Sequence, residues 1–149
     1  MDFTLKEKII IAAKYRKYKF INESRSQFNG ETLVILPDCD IAFEMAQLFY
    51  EMSNENITFL VKDSICSFYS TDIINKSIIY TYNDMNTLGL PRKIFIEKIK
   101  SYNFENIVDL NATFSRFGAF LTFYCYPKVK MGFNYDNSKK YYNVILDSN

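Results

Sequence analysis

The stretch TLVILPDCDIAFEMAQLFYEMSNENITFLV, Thr32–Val61, decides the fold. Thr32-Leu-Val-Ile-Leu36 is an uninterrupted apolar run of strand length, as expected of a strand covered on both faces. Pro37 ends it, because proline has no amide to donate to a sheet ladder. From Ile41 to Met52 the spacing turns helical, with Phe43, Met45, Ala46, Leu48, Phe49 and Met52 on the apolar side. Ser53-Asn54-Glu55-Asn56 reads as a turn, and Ile57-Thr-Phe-Leu-Val61 is a second apolar run. A strand, a helix and a strand in succession imply a parallel pair with a helical crossover.

Downstream the pattern repeats less regularly. Ser64–Ser70 suits a short helix, and Ser77-Ile-Ile-Tyr-Thr-Tyr82 a third strand. Pro91 can open a helix that carries Ile94, Phe95, Ile96, Ile99 and Tyr102. Ile107-Val-Asp-Leu110 reads as a fourth strand, Phe114–Tyr126 as a helix, and Lys128-Val-Lys-Met-Gly-Phe133 as a fifth strand. The expected fold is a single Rossmann-like, doubly wound and mainly parallel α/β sheet over residues 31–149.

The first thirty residues differ. Thr4 and Glu7 have capping-box spacing, and Leu5, Ile9, Ala12 and Ala13 follow at helical intervals. Lys14, Arg16 and Lys17 belong to a basic surface, so residues 1–30 read as an added amphipathic helix with a polar linker. That helix either packs on the domain or docks on a partner or an anionic membrane face.

Composition removes several function classes. The chain has 149 residues, the size of one domain. With 18 basic and 17 acidic residues its net charge is +1, so no global attraction to nucleic acid is expected. There is no histidine, which rules out a Ser-His-Asp or Cys-His site and a His-ligated metal. Cys39, Cys66 and Cys125 are odd in number and widely spaced, which suits buried thiols in a reducing compartment. No apolar run approaches the roughly 18 residues of a membrane span, and no secretory signal opens the chain. The expected location is cytoplasmic, with a peripheral contact at the inner membrane face open to the N-terminal helix.

In an open parallel sheet, ligands bind at the carboxyl ends of the strands near the topological switch point. That rule selects Asp38 and Asp40 after the first strand, Asn111 and Thr113 after the fourth, and the stretch beyond Phe133. An aspartate there can act as a base or hold a hydroxyl-rich ligand, or it can cap the helix. Pro37-Asp-Cys-Asp40 contains no glycine and two carboxylates, which argues against a phosphate-cradling turn and against dinucleotide binding. Asp109 is close in sequence to Thr113, Ser115 and Arg116, and Asp109 with Arg116 can form an ion pair. The Tyr- and Lys-rich tail Asn134–Asn143 reads as an exposed loop or an interaction edge.

From about Glu31 to Phe133 the chain resembles the N-terminal half of the family 9 glycosyltransferases, which include the heptosyltransferases. Cys39-Asp40-Ile41 stands where that family has Gly-Asp-Val, and Ile57-Thr-Phe-Leu-Val61 follows at the family's distance. Phe104-Glu-Asn-Ile-Val-Asp-Leu110, Ser115-Arg116 and Lys128-Val-Lys-Met-Gly-Phe133 resemble its later motifs. The resemblance implies the acceptor-side half of a bacterial GT-B enzyme, with Asp40 as catalytic base. It makes Asp38, Asp109, Asn111, Thr113 and Arg116 the acceptor-binding candidates. Two departures stand out: the glycine is replaced by Cys39, and no donor-binding domain follows up to Asn149. Without a donor the positioning that drives a transferase is missing. The expectation is therefore a non-catalytic interaction or scaffold module, with no cofactor, that binds a protein or a second copy. Lys14, Arg16, Lys17, Phe120, Tyr124, Tyr141 and Tyr142 are its interface candidates. The alternative is the acceptor-binding subunit of a split transferase acting on cell-envelope sugars.

Overall fold

A computed structural model describes residues 31–52 and 56–146. Residues 1–30, where a helix carrying Lys14, Arg16 and Lys17 is expected, and residues 53–55 of the turn expected at Ser53–Asn56 lie outside the described residues.

Six strands form one all-parallel sheet: β1 (Thr32–Leu36), β2 (Ile57–Lys62), β3 (Ser77–Tyr80), β4 (Asn106–Asp109), β5 (Val129–Phe133) and β6 (Val144–Leu146). Their order is β3-β2-β1-β4-β5-β6, with β1 paired to β2 on one side and to β4 on the other. Every residue of β1 and β4 is buried, which explains the apolar run Leu33–Leu36 and the Ile107–Val108 pair; the polar Thr32 and Asn106 at the strand starts are buried and hydrogen-bonded to each other. The helices are α1 (Asp40–Met52), α2 (Thr71–Asn75), α3 (Lys93–Ser101) and α4 (Arg116–Cys125).

Two cores sandwich the sheet, because side chains alternate along each strand. On one face Val34 and Leu36 of β1 meet Ala42, Met45 and Ala46 of α1 and Ile73 of α2. On the other, Leu33 and Ile35 meet Phe95 and Ile99 of α3 and Phe117 and Leu121 of α4. The sheet is thus doubly wound, as expected from the sequence. The chain runs from β1 outward to β3, then crosses back to β4 on the far side of β1. The switch point falls between β1 and β4.

Three local readings needed correction. The segment after β2 is a 3₁₀ turn at Asp63–Phe68 followed by α2, not one helix over Ser64–Ser70. Ser70 caps α2 by accepting from the Ile73 amide, so the polar residue taken as an end is a beginning. The third strand stops at Tyr80, where Thr81 and Asp84 close a capping box. The tail is not an open loop throughout: β6 pairs in parallel with β5 at Met131, Gly132 and Phe133.

Among the described residues no helix is long and apolar enough to cross a membrane.

Candidate functional site

Where α1 leaves β1 toward one face and α4 follows β4 on the other, the strand ends part and leave a cleft of about 270 Å³. Each wall comes from a different strand exit. Pro37 and Asp38 follow β1, Lys62 ends β2 and Ser64 follows it, Tyr80 ends β3, and Asn111, Ser115 and Phe117 follow β4. The Tyr80 and Phe117 rings stack at 4.3 Å and 9° to form a flat apolar wall.

The loop after β1 is fixed rather than slack, since the buried Tyr69 donates its hydroxyl proton to the Pro37 carbonyl. At the start of α4, Ser115 is the N-cap, accepting from the Gly118 amide at 3.2 Å. Lys62 places its ammonium 3.6 Å from the centre of the Tyr82 ring and has no ion-pair partner among the described residues. The hydroxyl protons of Ser64, Tyr80 and Ser115 likewise have no acceptor among the described residues. Burial, with Asp109 and Asp63 nearby, pushes the Tyr80 phenol well up, so it keeps its proton and remains a donor.

Behind the cleft lies Asp109, buried at 1% exposure. Its Oδ1 accepts from the Asn111 amide at 3.0 Å and from Asn111 Nδ2 at 2.6 Å, and its Oδ2 from the Tyr142 hydroxyl at 2.5 Å. Tyr135 in turn donates to the Tyr142 hydroxyl at 2.8 Å. Burial raises the Asp109 carboxyl above the ordinary range, although all three donors pull it down. Burial also pushes the Tyr135 phenol up to about 12. Two glycines make room for this network. A Cβ on Gly118 would stand 2.5 Å from Asp109 Oδ2, and one on Gly132 would stand 2.5 Å from the Tyr142 ring.

The residues singled out by sequence divide accordingly. Asp38 and Asn111 meet in the cleft. Asp109 is close behind it but sealed by its own hydrogen bonds. Asp40 is the first residue of α1, exposed, where its charge meets the positive end of the helix, and it does not line the cleft. Thr113 is exposed and also outside the cleft. Arg116 forms no pair with Asp109; its Nη1 donates to the Leu88 carbonyl at 3.1 Å. Tyr142 is 4% exposed and committed to Asp109, so it offers no interface. Lys62, Ser64 and Tyr80 were missed. The strand-end rule would have found them had it been applied to β2 and β3, where Lys62 follows the apolar run directly.

A second surface lies along α4. Phe114 touches Tyr135 and Tyr141; Tyr141 touches Phe120 and Phe123; Phe123 touches Tyr124 and Tyr126. Three of these rings are markedly exposed: Phe114 at 44%, Tyr124 at 42% and Tyr126 at 67%. Lys130 lies 5.6 Å from the Tyr126 ring, Lys100 6.0 Å from it, and Lys140 5.9 Å from Tyr141. Phe120, Tyr124 and Tyr141 are thus brought together. Tyr126, the C-cap of α4, holds a left-handed backbone at φ 49°, ψ 50°.

Among the described residues no group of three or more Cys, Asp and Glu is placed to hold a metal ion. Comparison with protein-family models, curated proteins and solved structures finds no match.

Proposed function

We propose that this domain is a non-catalytic interaction module that binds a protein partner through the aromatic face of α4 and the adjoining tail. The observation that carries it is the unbroken series of ring contacts from Phe114 to Tyr126, with exposed edges and a lysine rim. Exposed aromatics give large contact area at small entropic cost and anchor interfaces. The three lysines favour a partner with an acidic rim over a second copy, because a symmetric self-contact would set like charges against each other. The sealed state of Asp109 supports the non-catalytic reading, since the most perturbed carboxylate near the cleft serves the fold.

The test compares proteins captured from native cells by the wild type and by a Tyr124→Ser/Tyr126→Ser variant of unchanged thermal stability. A protein retained by the first, lost by the second and released by salt is the expected result. Identical capture by both overturns the reading.

The presence of Asp38 and Asn111 in the cleft lining favours a second reading, the acceptor-binding subunit of a split glycosyltransferase, although Asp40, the base in that reading, stands outside the lining at the start of α1. There Asp40→Asn abolishes transfer by the assembled complex and leaves assembly intact; retained transfer removes that reading.

A further inference from the structure

The cleft at the switch point is not explained by an interaction surface on α4. Its polar lining is unbalanced. Lys62, Ser64, Tyr80 and Ser115 each bring a donor that nothing among the described residues accepts, whereas Asp38 alone brings a free carboxylate, and it is exposed. Behind the cleft, Asp109 is covered by Asn111 and Tyr142, and Asp63, between Lys62 and Ser64, is exposed and accepts from the Ser64 amide. The N-terminus of α4 adds the positive end of a ten-residue helix, beginning one residue after Ser115. Arg116, which would compete for the same charge, is held by the Leu88 carbonyl.

From this geometry we infer that the cleft binds a small metabolite carrying an oxyanion, phosphate or carboxylate, held by Lys62, Tyr80 and the start of α4, with Asp38 accepting from a hydroxyl at the other end. A volume of about 270 Å³ fits a compact molecule and excludes a dinucleotide. The missing glycine loop is no obstacle, because here the charge is met by an ammonium and by hydroxyls rather than by bare amides. The Tyr80–Phe117 stack supplies the apolar wall against which the carbon skeleton rests.

The probe is glycerol 3-phosphate, with free glycerol and inorganic phosphate beside it, followed by thermal shift and by amide chemical shifts. Millimolar glycerol 3-phosphate should raise the melting temperature and move the amides of Ser64, Asn111 and Ser115. Lys62→Gln should weaken binding about tenfold or more, as loss of a charged hydrogen bond requires. Tyr80→Phe, which keeps the ring stack, should weaken it by less. Lys139→Gln, an exposed lysine outside the cleft, should leave it unchanged. Response to phosphate and not to glycerol 3-phosphate would identify an adventitious ion only and overturn the proposal. So would an equal response to glycerol, an equal loss in Lys139→Gln, or no response. The Tyr124→Ser/Tyr126→Ser variant should bind the probe as the wild type does, so the two proposals fail separately.

Discussion

Asp109 carries the clearest consequence of any single residue. Its carboxyl is raised by burial, so the fold favours the neutral acid over the carboxylate. The associated stability is fully present below the ordinary value of 3.8 and is lost as pH rises through the higher folded value. The melting temperature of the wild type minus that of Asp109→Asn should therefore fall as pH rises above 3.8 and level off once the folded carboxyl has titrated. A difference that grows with pH would mean that the Asn111 and Tyr142 bonds outweigh burial. The sequence pointed to Asp109 through its position at a strand end. It could not reveal that Asp109 is sealed, because the donor that seals it, Tyr142, is 33 positions away. The same distance explains why Tyr142 read as an interface ring. Lys62 was passed over for a simpler reason: a lysine after an apolar run looks like the end of a strand, and only the convergence of four strand exits makes it part of a cleft.

At the level of elements, β1 and the middle of β2 were legible because burial on both faces leaves an apolar run with no alternation to misread, and β3 to β5 carried enough Ile, Val, Met and Phe to be placed beside them. The sixth was not. β6 spans only Val144–Leu146, preceded by tyrosines, lysines and asparagines that resemble a surface loop. What aligns it is Asn143, which extends the ladder by one position through its side chain. Asn143 Oδ1 accepts from the Lys130 amide at 2.8 Å, and Nδ2 donates to the Lys128 carbonyl at 2.9 Å. Asn143→Ala should cost about 1 kcal/mol per lost bond, felt mainly at this edge. Amide exchange at Val144–Leu146 should then quicken about thirtyfold while β1 stays protected. Equal quickening in β1 would show that β6 opens only with the whole sheet.

For the molecule as a whole, stability and recognition pull apart at the end of α4. Tyr126 holds a left-handed backbone that costs a side-chain-bearing residue about 1 kcal/mol, and glycine is the usual occupant of such a cap. Tyr126→Gly should stabilise the domain by up to about 0.5 kcal/mol in urea, after allowance for the greater freedom of glycine in the unfolded chain. It should also reduce capture of the partner. Loss of stability instead would show that the contacts with Phe123 and Lys130 outweigh the strain. The bond between Tyr142 and Asp109 has a further bearing on how the protein is made. β4 emerges from the ribosome well before β6, and until Tyr142 follows, the Asp109 carboxyl at the end of a central strand lacks one of its three donors. A nascent chain that has reached β5 holds two of those donors on Asn111 and gains the third only with Tyr142. Completion of the fold is thereby tied to the arrival of the last strand, and chains stalled before it remain open to proteolytic quality control.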